Sequence, residues 1–338
     1  VGPAFMSGRI GDVAINPVEP NTWYIAVASG VLWKTTNAGT TFRPIFDDKP
    51  SYSMGCVSID PSVHTTVWLG TGENNGGRHI GFGDGVYVSH DSGKSWKHRG
   101  LEESEHISKI LVDPRNSDVV FAASQGPLWS PGGQRGLFKS TDGGMTWRLV
   151  LGPGRFGRKN DNDLTEEEHA RINAKSYTGV TDVVFDPTNP DILFADMWEH
   201  REGPWENARF SGPNSGLYKS TDGGSTWRQL TEGLPTAEQG LGRVGVGIAP
   251  SDPNRMYATV GADGDLGGVY RSDDAGESWR LVHRNPRVWG RSGDFAELKV
   301  HPENPDVVFS GNIASYLSLI HISEPTRQES RSRMPSYA

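Results

Sequence analysis

Four carboxylates of this chain, Glu73, Asp84, Glu199 and Glu202, lie in irregular stretches where acid–base chemistry could be placed. Such groups work in pairs: one protonates a leaving oxygen while the other acts as base or nucleophile. Glu73 sits in Thr71-Gly72-Glu73-Asn74-Asn75-Gly76-Gly77-Arg78-His79, which adds the amide of Asn74 and the bases Arg78 and His79. Glu199 and Glu202 flank His200 in a second cluster, 197–202. Arg9, His106, Arg243 and Arg291 stand at or just before apolar runs. A ring of such residues could bind an anionic group, because a guanidinium presents paired donors. The alternative for each is a salt bridge or a loop hydrogen bond.

Aromatic residues add a second kind of contact. Of 11 tryptophans, Trp129, Trp198, Trp205 and Trp289 fall outside both the strand-like runs and the repeated turns described below. An indole face suits stacking on a sugar ring or holding a peptide, and the alternative is packing of its own loop. Metal ligation and cofactor binding are not expected. There is no His-x-x-x-His or cysteine pair, Asp263-Gly264-Asp265 is a lone acidic turn, and Gly81-Phe82-Gly83-Asp84-Gly85 carries no phosphate-loop lysine. The single cysteine, Cys56, lies in a strand-like run and is expected to be a buried, inert thiol.

The elements that must position these residues are set by a repeat. Ser140-Thr141-Asp142-Gly143-Gly144-Met145-Thr146-Trp147 reads as Ser/Thr-x-Asp-x-Gly-x-Ser/Thr-aromatic. It recurs from Ser89 to Trp96, Ser220 to Trp227 and Ser272 to Trp279, and from Thr35 to Phe42 with Asn37 in the acid's place. Asp91, Asp142, Asp222 and Asp274 can accept backbone N–H groups two residues on, glycine supplies a positive φ, and the closing Trp96, Trp147, Trp227 or Trp279 is an apolar plug. The motif is therefore read as a structural turn. It returns every ~50 residues, with one longer interval, which suits four strands of ~5 residues plus turns.

Short β-rich runs punctuated by Gly, Pro and Asp surround each copy, and four strands per unit with fixed turns predict an all-β propeller. Blades are expected at about 7–47, 51–100, 104–151, 179–233 and 241–285, with part of a sixth at 294–315. The array is thus expected to be truncated, five blades plus part of a sixth, within a domain spanning 1–315. Residues 152–177 are an insertion. From Leu317, Leu-Ser-Leu-Ile-His-Ile-Ser-Glu-Pro-Thr-Arg resembles an in-frame translation of a transposase-type sequencing adapter. Residues 317–338 are therefore expected to be a non-biological tail outside the fold.

In an antiparallel blade, connections between strands one and two and between three and four open on one face. Those between two and three, and between blades, open on the other. The first class is short and uniform. The second is long and different each time: 71–84, 124–135, 152–177, 197–215 and 261–267. Loop diversity on a rigid scaffold is where binding and chemistry are placed, so function is expected on the face away from the repeated turns. The mildly acidic balance, −8 formal charges, offers no basic stripe for a nucleic acid. No apolar run reaches the ~18 residues that would span a bilayer.

With its five turns, the chain resembles the BNR/Asp-box β-propellers, the bacterial sortilin N-terminal-like and "glycosyl hydrolase" BNR-repeat proteins. Xyloglucanases, sialidases and photosystem II assembly factors are more distantly similar. The resemblance covers residues 1–315 and implies that the Asp boxes lie opposite the active or binding face. It also implies a secreted, periplasmic or cell-surface protein. Xyloglucanase-type enzymes carry one catalytic acid at the position of Ala28, in Val27-Ala28-Ser29-Gly30, and a partner acid on a second propeller. Phe42-Arg43-Pro44-Ile45 is not the Arg-Ile-Pro signature of sialidases. The resemblance therefore implies an extracytoplasmic module that binds a glycan, peptide or protein partner through its loop face. The alternative is a glycoside hydrolase of the xyloglucanase-like type using Glu73, Asp84, Glu199 or Glu202.

Overall fold

A computed structural model describes residues 9–74, 77, 80–155, 164–203, 208–294, 296–312, 315–319 and 326–327. The described strands form six four-stranded antiparallel sheets, each paired in simple sequential order. Blade 1 comprises Ile10–Ile15, Trp23–Val27, Leu32–Thr35 and Arg43–Pro44; blade 2 Met54–Ile59, Val67–Thr71, Val86–Ser89 and Lys97–His98. Blade 3 comprises Ile107–Asp113, Asn116–Ser124, Gly136–Ser140 and Arg148–Leu151; blade 4 Thr178–Phe185, Leu193–Glu199, Gly216–Ser220 and Arg228–Leu230. Blade 5 comprises Val244–Ala249, Asp252–Val260, Gly268–Ser272 and Arg280–His283. Blade 6 comprises Leu298–Val300, Val307–Gly311, Ser315–Leu319 and Thr326–Arg327.

The propeller expectation holds, with a correction to its extent. The array has six four-stranded blades rather than five plus part of a sixth. The third and fourth strands of blade 6 come from a stretch expected to stand largely outside the fold. Ser315–Leu319 pairs with Val307–Gly311 in five-residue register, Ser310 opposite Tyr316. The physical reason is local: Val307–Gly311 offers an unpaired edge, and Ser-Tyr-Leu-Ser-Leu has the β-forming side chains to pair with it.

The Asp boxes close the third and fourth strands. In blade 3, Ser140 donates to Asp142 Oδ1 at 2.8 Å, Gly144 N donates back to Ser140 Oγ at 2.8 Å, and Asp142 Oδ2 accepts from Thr146 Oγ1 at 2.6 Å. Those bonds, with the Thr146 hydroxyl contributing most, hold the Asp142 carboxyl down at about 2. The Asn37 box keeps the geometry by reversing one bond, Asn37 Nδ2 donating to Thr41 Oγ1 at 2.9 Å. Box glycines adopt φ near +80°, as at Gly144 (+79°).

The core is a series of blade-to-blade junctions. Alternation along each second strand sends one residue forward and the next back. Tyr24 and Ala26 pack forward onto Val57, Val67 and Leu69; Trp68 forward onto Ile110, Val120 and Ala122; Phe121 forward onto Val183, Leu193 and Trp227. Interior strands are apolar on both faces because both are covered. The long insertion closes over blade 3 with a helix, Glu166–Asn173, whose Thr165–Glu168 capping box satisfies its first turn.

Candidate functional site

A cleft of about 400 Å³ opens among the crossings of blades 4, 5 and 6, all on the face away from the boxes. Its walls include Phe210, Asp263, Trp289, Arg291 and Asp294, and Trp198 and Arg243 also line it. All but Trp198 come from the variable loop class; Trp198, expected in a loop, stands near the end of the blade 4 strand Leu193–Glu199, which runs further than the sequence suggests. Trp289 ends a one-turn helix, Pro286–Trp289, started by Asn285, whose side chain accepts from Arg287 N at 3.0 Å, with Pro286 where its missing N–H costs nothing. The indole donates to Arg284 O at 3.0 Å. Its ring lies so close over Gly267 that a Cβ there would come within 2.0 Å of it. Gly240 plays the same part for Asp263, since a Cβ there would stand 2.3–2.5 Å from the carboxylate. Asp263 is exposed, and Asp294 is ion-paired with Arg291.

Under the cleft lies a stack of flat side chains. Trp198 is fully buried, donates from Nε1 to Phe210 O at 2.8 Å, and stacks on His200 at 4.1 Å and 6°. Phe210 continues the stack 5.2 Å from His200, and the Arg243 guanidinium lies 5.7 Å from the Trp198 ring centroid. His200 is held down at about 3, first by burial and then by the charges of Arg243, Arg135 and His106. Its ring is therefore neutral. Gln125 Nε2 donates to Nδ1 at 3.1 Å, which assigns the proton to Nε2. Glu202 Oε1 is 3.6 Å from that nitrogen, so the two form a loose polar contact and not an ion pair. Trp198 thus packs its own loop, one of the two roles open to it in the sequence.

The axial mouth of the propeller is filled by a polar plug. Arg9 makes a bidentate ion pair with Glu73, which is fully buried. Asn74 donates to Ser108 O at 3.3 Å and receives Arg243 on its own carbonyl at 3.3 Å. Arg243 also donates to Gly293 O at 3.1 Å. His106, buried beside the Glu73 backbone, is held at about 4 by desolvation. Glu73 is thereby committed to holding rim loops.

The remaining candidates separate. Asp84 accepts from Tyr87 OH at 2.6 Å and Thr71 Oγ1 at 3.2 Å, fixing its own loop. Glu199 lines a smaller hollow of about 220 Å³ with Lys175, Tyr177 and Asn214, and burial raises its carboxyl above the usual range. Trp129 is exposed on the blade 3 loop. Arg78, His79 and Trp205 lie outside the described residues. The structure therefore gathers Trp198, Arg243, Trp289 and Arg291 at the cleft, and Arg9, Glu73, Asn74 and His106 at the mouth. Sequence reasoning set Asp263 aside as part of a lone acidic turn and passed over Asp294 and Phe210. The usable signal for Asp263 and Asp294 was their place beside Gly264 and Gly293 in the variable loops, with no motif to mark them. Arg135 was also missed: it is 1% exposed and donates to Gly132 O at 2.8 Å, Gln125 O at 2.7 Å and Ser130 O at 2.7 Å, organising that loop. Among the described residues no group of three or more His, Cys, Asp or Glu could hold a metal ion. No described helix is long and apolar enough to cross a membrane.

Known proteins carry the same architecture. The chain is 24% identical over 339 residues to the xyloglucanase Xgh74A of Acetivibrio thermocellus, an alignment covering 91% of this chain and 35% of that protein. It is 22% identical over 340 residues to a probable oligoxyloglucan-reducing end-specific xyloglucanase of Neosartorya fischeri, covering 90% and 37%. An ancestral GH74 enzyme superposes with a TM-score of 0.64 at 19% identity, covering 92% of this chain and 36% of that one. The chain thus spans little more than a third of the length of these relatives. No family model matches it.

Proposed function

We propose that this propeller receives a segment of a glucan-type polysaccharide in the cleft beside Trp289 and forms part of a glycoside hydrolase. The observation that carries the reading is the composition of that cleft: indole and phenyl rings together with two carboxylates and two guanidiniums. A sugar presents an apolar ring face for stacking and a rim of hydroxyls for charged hydrogen-bonding groups. Similarity to xyloglucanases over nine-tenths of the chain supports the same substrate class. Asp263 and Asp294 are the acid pair of this reading, one protonating the glycosidic oxygen and the other acting as base or nucleophile. On this reading the substrate, a polymeric glycan, is met outside the cytoplasm, which agrees with the secreted or cell-surface expectation.

A second reading, glycan capture without hydrolysis, rests on Ala28. It is fully buried, and it stands where xyloglucanase-type enzymes are expected to carry an acid. One experiment separates the two. Xyloglucan oligosaccharides are titrated calorimetrically and, in parallel, assayed for reducing-end release. Hydrolysis reduced at least ~100-fold by Asp263→Asn or Asp294→Asn, with binding retained, supports the enzyme. Binding sensitive to Trp289→Ala without turnover supports capture. Absence of binding, or binding indifferent to Trp289→Ala, refutes the cleft as the glycan site.

A further inference from the structure

The smaller hollow, about 220 Å³, lies where the 152–177 insertion leaves blade 3 and rejoins blade 4. Pro153 bounds it from the start of the insertion, Ser176 and Tyr177 from its end, and Glu199, Pro213 and Asn214 from the blade 4 crossing. None of these residues lines the cleft beside Trp289, yet the two sites share a wall. Trp198 lines the cleft, and Glu199, the next residue of the same strand, lines the hollow, because successive strand side chains point to opposite faces. The loop that follows repeats the division: Phe210 and Ser211 line the cleft, Pro213 and Asn214 the hollow. From Ser211 to Pro213 is at most ~7 Å of extended backbone.

The walls of the hollow are fixed by their own contacts. Ser176 O accepts from Gly132 N at 3.0 Å, and Ser176 Oγ accepts from Thr178 N at 3.0 Å, tying the end of the insertion to the blade 3 loop and to blade 4. Tyr177 is braced by the guanidiniums of Arg135 and Arg201, 5.8 Å and 5.5 Å from its ring centroid. Gly212 makes room for the Glu199 carboxyl, since a Cβ there would stand 2.2 Å from the carboxyl carbon. Thr178 Oγ1 donates to that carboxyl only at 3.4 Å, and burial raises it above the usual range. Glu199 therefore keeps acceptor capacity that its surroundings leave unused.

We propose that this hollow is a second sugar-binding subsite, taking one ring of the same glycan chain that occupies the cleft, with the chain crossing the segment from Ser211 to Pro213. The inference rests on the glycan reading of the cleft. The Glu199 carboxyl, the Asn214 amide and the Ser176 and Tyr177 hydroxyls meet the hydroxyl rim of a neutral sugar, and the Pro153, Ile172 and Pro213 side chains meet its apolar face. The volume falls below the ~300 Å³ at which sites for larger small molecules begin, which limits the occupant to a single ring.

Calorimetric titration with xyloglucan oligosaccharides of one repeat and of two repeats tests this, because a ligand that fills two linked subsites gains affinity over one that fills the cleft alone. The longer ligand is expected to bind at least ~10-fold tighter than the shorter. Glu199→Gln and Asn214→Ala should each remove most of that gain, while the shorter ligand binds both variants as it binds wild type. Circular dichroism melts check that each variant folds, and Asn214→Ala carries the test alone if Glu199→Gln does not. Equal affinity for the two lengths, or a gain that survives both substitutions, overturns the subsite and leaves the cleft reading standing. No binding at either length, or binding indifferent to Trp289→Ala, overturns the cleft reading and the subsite with it.

Discussion

Truncating the forward-facing aromatic should cost very different amounts at two equivalent positions, Phe121 in blade 3 and Phe309 in blade 6. Phe121 is 1% exposed, meets Phe185 edge-on at 5.9 Å, and carries Lys139 Nζ 5.3 Å from its ring centroid. A box glycine presses on its other side. Phe121→Ala leaves a cavity that four blades' worth of packing cannot close, and a buried Phe→Ala change costs about 3–5 kcal/mol. Phe309 is nearly half exposed before mutation, so Phe309→Ala forfeits only a partial burial, about 1 kcal/mol. Urea unfolding followed by tryptophan fluorescence reads both. With a slope of roughly 3 kcal/mol/M, Phe121→Ala should lower the midpoint by about 1 M or more and Phe309→Ala by a third of that or less. Equal shifts for the two variants would refute the reasoning that the difference in burial sets the cost.

Three further outcomes follow from the same geometry. Gly267→Ala places a methyl where the Trp289 ring lies, so it should weaken xyloglucan-oligosaccharide binding by about the same factor as Trp289→Ala, roughly 5- to 100-fold, measured calorimetrically. His106 and His200 are held at about 4 and about 3 by burial, so only the unfolded chain takes up their protons below ~6.5, and their contribution is lost as pH falls from there towards 4. Asp196 works with the opposite sign: burial raises it to about 7, so its contribution is present below the ordinary carboxylate range near ~4 and is lost as pH rises through 7. Asp196→Asn should therefore steepen the rise of melting temperature with pH between those limits; a profile parallel to wild type would count against the sign. Asn37→Asp should restore the bonding of the other boxes and change stability by less than about 0.5 kcal/mol at neutral pH, with a small loss appearing only in acid, checked by thermal melts at both.

The fold was legible because its signals are local and repeated. An Asp-x-Gly turn needs only its own eight residues to form, and five copies set the blade register without any long-range information. Blade 6 was legible only in part, since Ser315–Leu319 carries no box and is recruited by the unpaired edge beside it. The site was less legible for a physical reason. Arg9, Glu73 and His106 have the residue types of a reactive cluster, yet whether they face a ligand depends on which loops meet at the axis. Glu73 meets Arg9 from the neighbouring blade, 64 positions away, and becomes structural. Asp263 and Asp294 have no motif, and only folding brings the loops of blades 5 and 6 to the same cleft.

The plug and the cleft are not independent. Arg243 lines the cleft, faces Trp198, and donates to the carbonyls of Gly293 on the cleft side and Asn74 on the mouth side. Hydrogen bonding to Glu73 is the main cause that raises Arg9, and the charge of Asp294, on the same wall, adds a smaller effect. Glu73→Gln therefore acts on the cleft through its positioning and not through lost acid chemistry. It weakens the hold on Arg9 and, through the loops that Arg9 and Arg243 tie together, should loosen glycan binding more than it slows turnover at saturation. A catalytic Glu73 predicts the reverse. The ratio of the effect on KM to the effect on kcat thus decides whether the stretch around Glu73 is chemistry or support, and the buried, doubly bonded Glu73 carboxylate argues for support.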